Sequence, residues 1–287
     1  MGPRVWFITG TSSGFGRSTA EYALAQGDIV VATLRKPEVL DDLKAQYSAD
    51  KLLVVKLDVS KPQEVRNAFQ KAKDAFGRLD IVFNNAGYGV LAEVEGSADD
   101  TVRKMFEVDF WGAANVNREA VEFFRSVNSP VGGRLIITSS VVGVRPQPLI
   151  GYYTAAKHAL EGLTQALAIE LDPEWNIKIT MIEPGGFMTR GINNVAICPP
   201  HPAYTKLTLP TVGTRKLLTD EHLKLPNDLD KGVEKIYELS KLENPPLRLP
   251  LGKDSIGAIK AQIEEIASEV EKYESWSNEL AVTEAKN

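Results

Sequence analysis

Tyr153 and Lys157 stand four residues apart in Gly151-Tyr152-Tyr153-Thr154-Ala155-Ala156-Lys157, at the start of a predicted helix. At that spacing two side chains share one helical face, one turn apart. A free tyrosine has a pKa of about 10 and is a reluctant proton donor or acceptor at neutral pH. A fixed ammonium beside it favours the phenolate and lowers that pKa. Bringing it to about 7 takes about 4 kcal/mol of differential stabilisation. The pair could therefore run acid–base chemistry at a carbonyl or hydroxyl. Taken alone it has a plainer use, in which the tyrosine packs and the lysine extends along it, and chance pairs of this kind are common.

The second chemical signal is Thr9-Gly10-Thr11-Ser12-Ser13-Gly14-Phe15-Gly16, which follows an apolar run and opens a helical pattern. Its glycines permit a tight turn and let backbone approach a phosphate at the positive end of the helix. Gly10, Ser12, Ser13, Gly14, Phe15 and Gly16 are thus candidate cofactor-binding residues; a serine-rich surface turn is the alternative. After the second apolar run comes Ala32-Thr33-Leu34-Arg35-Lys36. An NAD site places an acidic side chain there for the ribose 2′-hydroxyl. Here none occurs before Glu38, whereas Arg35 can pair bidentately with a 2′-phosphate. NADP(H) is therefore favoured over NAD(H). Asp58, after the third run, suits an adenine amino group or the entry to the next helix.

The elements that must position these residues alternate. Strands are predicted at Val5–Thr9, Ile29–Thr33, Leu52–Leu57, Ile81–Phe83, Arg134–Thr138 and Ile177–Ile182, with a seventh at Leu247–Leu251. Helices are predicted from Gly16 to Gln26, from about Pro37, and from Ser60-Lys61-Pro62 to Phe76. Another starts at Ser97 as N-cap, runs towards Val127 and bends near Gly112. The last three are Tyr152–Leu171, Leu229–Leu242 and Asp254–Tyr273. Short apolar runs alternating with helical patterns give an α/β class, a Rossmann-type doubly wound parallel sheet of about seven strands with helices on both faces. Right-handed crossovers place all strand C-termini on one edge, where ligands bind. The Gly10–Gly16 loop, Asp58, Asn84–Gly87, Ser139–Ser140 and Pro184–Gly186 all fall there.

From 187 to 227 the periodicity fails, with Pro199, Pro200, Pro202, Pro210 and Pro226. Phe187, Met188, Ile192, Val195, Ile197, Tyr204, Leu207 and Leu209 make it a candidate substrate lid. On the last helix Ile256, Ile259, Ile263, Ile266, Val270 and Tyr273 form one stripe. That stripe suits a coiled-coil seam, but packing on the domain is the expected use. Residues 1–287 read as one dinucleotide-binding domain with a flexible tail over about 276–287.

These features together resemble the short-chain dehydrogenase/reductase family in its compact one-domain, NADP-preferring form. The resemblance rests on Thr9–Gly16, Asp58, Asn84-Asn85-Ala86-Gly87, Ser140, Tyr153, Lys157 and Pro184-Gly185-Gly186-Phe187-Met188-Thr189. It covers 4–190 closely and the remainder loosely. It implies that Tyr153 exchanges a proton with the substrate oxygen and that Lys157 tunes it and holds the nicotinamide ribose. Ser140, rather than its neighbour Ser139, would hydrogen-bond the substrate carbonyl. Asn85, Ala86 and Gly87 would line the adenosine ribose; Pro184, Gly185 and Thr189 would meet the nicotinamide; Ser13 and Arg35 would sit near the 2′-phosphate. The family's asparagine on the helix after the fourth strand is replaced by Asp109. A carboxylate near Lys157 weakens its pull on Tyr153 and shifts activity to alkaline pH.

The implied reaction is NADPH-dependent reduction of a ketone or aldehyde, reversible as alcohol oxidation, on a medium or bulky apolar carbonyl. The alternatives are an NAD(P)-dependent alcohol dehydrogenase and a non-catalytic NADP-binding sensor or scaffold. The helices at Asp109–Val127 and Tyr152–Leu171 would pair copies into a homodimer or homotetramer. Composition bounds the rest. Of 287 residues 43% are hydrophobic and the net charge is −5 with mixed signs, which opposes a nucleic-acid face. One cysteine, Cys198, allows no internal disulfide and no cysteine-based metal site. His158, His201 and His222 show no ligand spacing, so no metal is expected. No apolar run reaches the length of a membrane span, and no cleavable leader is evident. A cytoplasmic protein is the expectation. His158, Trp111 and Trp175 read as structural and packing residues, Cys198 as an incidental thiol, and Glu183 is given no role.

Overall fold

A computed structural model describes residues 2–189, 195–220, 223–278 and 280. Ile192, His222 and most of the predicted tail lie outside them.

Val-Trp-Phe-Ile-Thr forms β1 (Val5–Thr9), buried along its whole length. Its side chains alternate between two apolar layers. Val5 and Phe7 join one core, Trp6 and Ile8 the other. A strand covered on both faces needs apolar residues at both parities, which explains the continuous run. In chain order there follow α1 (Gly14–Ala25), β2 (Ile29–Leu34), a short α2 (Asp41–Lys44) after a 3-10 turn at Pro37–Leu40, β3 (Leu52–Lys56), α3 (Pro62–Phe76) and β4 (Ile81–Asn84). Proline in the first turn of α3 and Gly77 at φ 69° after it mark both ends of that helix. Then come β5 (Val90–Leu91), α4 (Asp99–Phe106), a π-helical turn at Glu107–Gly112, α5 (Ala113–Ser126), β6 (Gly133–Thr138), α6 (Gly151–Glu170) and β7 (Ile177–Pro184). The chain ends with β8 (Ala196–Ile197), α7 (Pro210–Leu218), α8 (Leu229–Leu239), β9 (Arg248–Leu251) and α9 (Lys253–Tyr273).

Seven strands form one parallel sheet in the order β3-β2-β1-β4-β6-β7-β9. α1 and α8 cover one face, α3, α5 and α6 the other. The order reverses between β1 and β4, so a crevice opens at their C-terminal ends. This is the expected Rossmann-type fold.

Four local expectations are corrected. The helix after β4 starts at Asp99, because the Ser97 hydroxyl is spent on the Glu93 carbonyl at 2.9 Å and Ala98 holds the cap position. It does not simply bend near Gly112. It widens into a π turn over six residues, and Gly112 is needed there because a Cβ would lie 2.7 Å from the Val59 side chain. The 187–227 segment is not wholly irregular. α7 forms within it, β8 pairs with β5, and a bridge joins Phe187 to Asn227 at its base. Finally, the stripe on α9 does not pack on the domain; Ile263, Ile266, Val270 and Tyr273 are all at least half exposed.

Candidate active site

The glycine loop is welded to the end of β4. The Thr9 hydroxyl accepts the backbone N–H groups of Asn85 and Ala86 at 2.8 and 2.9 Å, and the Asn85 amide returns a bond to the Thr9 carbonyl at 3.1 Å. Gly10 turns with φ +72°, and a Cβ there would meet the Ala86 Cα at 2.9 Å. At Gly16 a Cβ would overlap the Gly10 carbonyl oxygen. Glycine is thus demanded by backbone approaching backbone at both positions. Ser13 caps α1 in position but makes no side-chain cap bond, which leaves the helix's first N–H groups to an anion. Ser12 is exposed, and Gly14 packs against Thr189. Phe15 is buried edge-on to Phe187 with ring centres 5.0 Å apart.

Arg35 lies exposed at the end of β2 and makes no ion pair or hydrogen bond among the described residues. Its charge reaches the Tyr88 phenol, which burial and then Asp109 push up and Arg35 pulls down. A cavity of about 710 Å³ beside Ser13 and Gly14 also contains Arg17, but that guanidinium is committed to Glu21 and Asp42. Asp58 uses Oδ1 to accept the Ser60 N–H and hydroxyl, bracing the turn into α3.

Tyr153, Lys157, Ser140 and Asp109 meet where β6, the π turn and the first turns of α6 converge. Ser140 opens a 3-10 turn at Val141–Gly143 with its hydroxyl towards Val142 N at 3.3 Å. A hydrogen bond to Ser140 also favours the Tyr153 phenolate. Lys157 is buried. Its Nζ donates to the Thr138 carbonyl at 3.1 Å, lies 3.4 Å from Asp109 Oδ2 and sits 5.5 Å from the centre of the Tyr153 ring. Asp109 is fully buried in the π turn, and its Oδ1 accepts the Tyr88 N–H at 3.0 Å. Here the side chain, not only the backbone, faces the lysine. Burial raises the Asp109 carboxyl, with Lys157 opposing. Burial lowers Lys157 first, yet Tyr153 and then Asp109 hold it above the ordinary lysine range. Burial raises Tyr153 most, Lys157 lowers it and Asp109 raises it again. Tyr153 thus sits between one cation that favours its phenolate and one anion that opposes it.

Ser139, buried beside Ser140, faces the other way, towards Glu161. Glu161 and Glu183 form a buried carboxyl pair, with Arg248 2.7 Å from Glu161 and 3.8 Å from Glu183. Burial raises both carboxyls and Arg248 lowers them only in part; burial and then Glu161 push Glu183 up to about 7.

Sequence reasoning missed the supports. Asp254, at the start of α9, accepts the Gly186 N–H at 2.7 Å and an Asn227 amide N–H at 2.8 Å. A Cβ at Gly185 would overlap that carboxylate, so Asp254 requires the glycine after Pro184. Glu93, buried in the body, accepts from Thr211 at 3.1 Å and from Arg215 at 2.7 Å on α7, and from His201 N at 3.3 Å. Burial would raise that carboxyl, but Arg215 holds it below its ordinary range. Thr211 and Arg215 stand at i and i+4, the one local hint; Glu93 is more than a hundred residues away in sequence. Arg215 also donates to the Cys198 carbonyl at 2.8 Å, and Cys198 is buried. His158 bonds its own helix through the Thr154 carbonyl at 3.0 Å. Trp175 is packed against Arg125, and Trp111 packs edge-on against Phe110 with ring centres 4.7 Å apart while staying half exposed. Among the described residues no group of His, Cys, Asp or Glu could hold a metal ion, and no helix is long and apolar enough to cross a membrane.

Residues 4–196 match the sequence profile described as short chain dehydrogenase. An uncharacterized oxidoreductase of Schizosaccharomyces pombe is 39% identical over 275 residues, covering 96% of this chain and 90% of its own. The 3-ketodihydrosphingosine reductase of Bacteroides thetaiotaomicron is 34% identical over 68% of each chain. A crystal structure of a short-chain dehydrogenase from Streptomyces avermitilis superposes with a TM-score of 0.87 at 31% identity, over 98% of this chain and all of that one.

Proposed function

Because the chain belongs to the short chain dehydrogenase family, we propose that it is an NADPH-dependent carbonyl reductase with Tyr153 as its proton donor. One observation carries the reading: Tyr153, Lys157 and Ser140 converge at the sheet's C-terminal edge, beside a glycine loop closed on β4. When bound, the nicotinamide supplies the hydride. The chain's own residues do the rest. The Gly10–Gly16 loop and the uncapped start of α1 receive the pyrophosphate, with Asn85, Ala86 and Gly87 along the adenosine ribose. The Ser140 and Tyr153 hydroxyls hydrogen-bond the substrate oxygen and stabilise the charge that grows on it. Tyr153 gives up its proton, and Lys157 stabilises the phenolate left behind. Pro184, Gly185 and Thr189 shape the nicotinamide side, in a segment that Asp254 and Asn227 hold through the Gly186 backbone.

The unpaired Arg35 guanidinium, with no carboxylate beside it on the β2 turn, supports NADPH over NADH. The 187–227 segment serves as the lid. Exposed Met188, Ile197 and Leu207 there support an apolar carbonyl, and so does kinship with a relative named 3-ketodihydrosphingosine reductase. NADPH and NADH oxidation against a panel of apolar ketones and aldehydes tests the reading. Turnover with NADPH is expected, and Arg35→Ser should weaken NADPH binding about 10- to 100-fold, the worth of a charge-assisted contact, with NADH unaffected. Tight NADPH binding without turnover of any carbonyl, or of any alcohol in reverse, would instead mark a sensor.

A further inference from the structure

On α9 Ile256, Ile259, Ile263, Ile266, Val270 and Tyr273 recur at alternating steps of three and four residues, the a and d pattern of a two-stranded coiled coil. The domain supports only the beginning of this helix. Ser255 is buried and Ala258, Ile259 and Gln262 are half-buried, but every residue from 263 to 278 is exposed. Beyond that start, one ion pair among the described residues, Arg145 to Glu265 at 3.5 Å, ties α9 to the body. Ile263 is 59% exposed, Val270 65% and Trp276, in the following turn, 80%. A helix of this length spans about 31 Å. Unsupported helical segments shorter than about 12–15 residues are marginal in water and gain stability from packing an apolar face.

We propose that α9 pairs with α9 of a second copy of this chain, antiparallel across a two-fold axis, so that each stripe covers the other. Three observations select that occupant. Ile263, Ile266, Val270, Tyr273 and Trp276, each at least half exposed, make one continuous apolar face of the kind an interface of roughly 800 Å² per partner covers. A second copy is the partner whose seam matches this one in length and repeat, as an isologous contact requires. Charge rules out the obvious rival and sets the direction. The helix carries Lys253, Lys260 and Lys272 against Asp254, Glu264, Glu265, Glu269 and Glu271, an acidic balance that opposes an anionic membrane surface. In a parallel pair Glu269 would lie beside Glu274 of the other copy, a like-charge contact. Antiparallel pairing sets Gln262 near Glu269 instead. The interface is separate from the active site and stands whether or not the chain reduces carbonyls.

Light scattering of the full chain at micromolar concentration, compared with Ile263→Glu/Ile266→Glu, is the test. Both positions are solvent-exposed in the single chain, and circular dichroism checks that the variant folds. The wild type should have an even multiple of the monomer mass, and the variant half the wild-type mass with unchanged NADPH binding. In a Cys198→Ser background, Ile256→Cys and Tyr273→Cys chains should form a disulfide-linked dimer when mixed and none separately. The proposal is overturned by a monomeric wild type, by equal masses, or by cross-linking of either cysteine variant alone. It is overturned equally by wild-type binding to phosphatidylserine vesicles that the glutamates abolish.

Discussion

Replacing Asp109 with asparagine removes one buried negative charge and keeps the side chain's shape. The amide oxygen of the introduced asparagine can still accept the Tyr88 N–H, so the π turn keeps its bond to the strand edge. The Asp109 oxygen is 3.4 Å from Lys157 Nζ, which is 5.5 Å from the centre of the Tyr153 ring, so the charge acts on Tyr153 from within about 9 Å. At an effective dielectric constant of about 20, a unit charge at that range is worth about 2 kcal/mol. Burial lifts Tyr153, Lys157 lowers it and Asp109 lifts it again. Removing the last of these lowers the tyrosine. Alcohol oxidation needs the phenolate, so its activity rises with pH through this pKa; carbonyl reduction needs the phenol and falls through it. The assay is kcat/KM in both directions from about pH 5 to 10, for wild type and Asp109→Asn. Both limbs should move towards acid in the variant. Limbs that stay in place would show that Asp109 does not act on Tyr153 through its charge, and would remove the alkaline bias from the mechanism.

Two other sites give separate outcomes. Glu93→Gln removes the charge that holds Arg215 and so weakens a charge-assisted contact worth about 1.5–3 kcal/mol. KM for the carbonyl should rise, the 196–218 segment should be cut faster by protease, and NADPH affinity should not change; unchanged proteolysis would mean that the Glu93 contact does not hold the lid. Glu183 has a folded pKa of about 7 against an ordinary 4.5. Between those values the native chain keeps a proton that the unfolded chain has released, so stability falls as pH rises, by up to about 3 kcal/mol above pH 7. Glu183→Gln should remove that loss, so its Tm should gain on the wild type between pH 5 and 8. Parallel Tm curves would show that Arg248 offsets the pair.

Much of the fold was legible because it is local. The apolar run at Val5–Thr9 begins and ends where the strand does, and Pro62 and Gly77 bracket α3 as their chemistry dictates. The glycine loop and the Tyr153–Lys157 spacing were visible for the same reason. What escaped depends on distant partners. β5 and β8 are two residues each and exist only because they pair with each other. Ser97 looked like a cap until the Glu93 carbonyl claimed its hydroxyl. Glu93 and Asp254 carry no motif; each gains its role from loops that reach it across the fold. The α9 stripe showed helical periodicity correctly, but periodicity does not say what covers a face.

Single-turnover transfer of deuterium from 4-deuterated NADPH to an apolar ketone, in wild type and Tyr153→Phe, tests the central claim most directly. The wild type should deliver deuterium to the carbinol carbon. The phenylalanine variant, which keeps the ring and loses only the hydroxyl, should slow that step by about 10²- to 10⁴-fold with NADPH affinity unchanged. Equal transfer rates in the two proteins would contradict the assignment of Tyr153 as the proton donor.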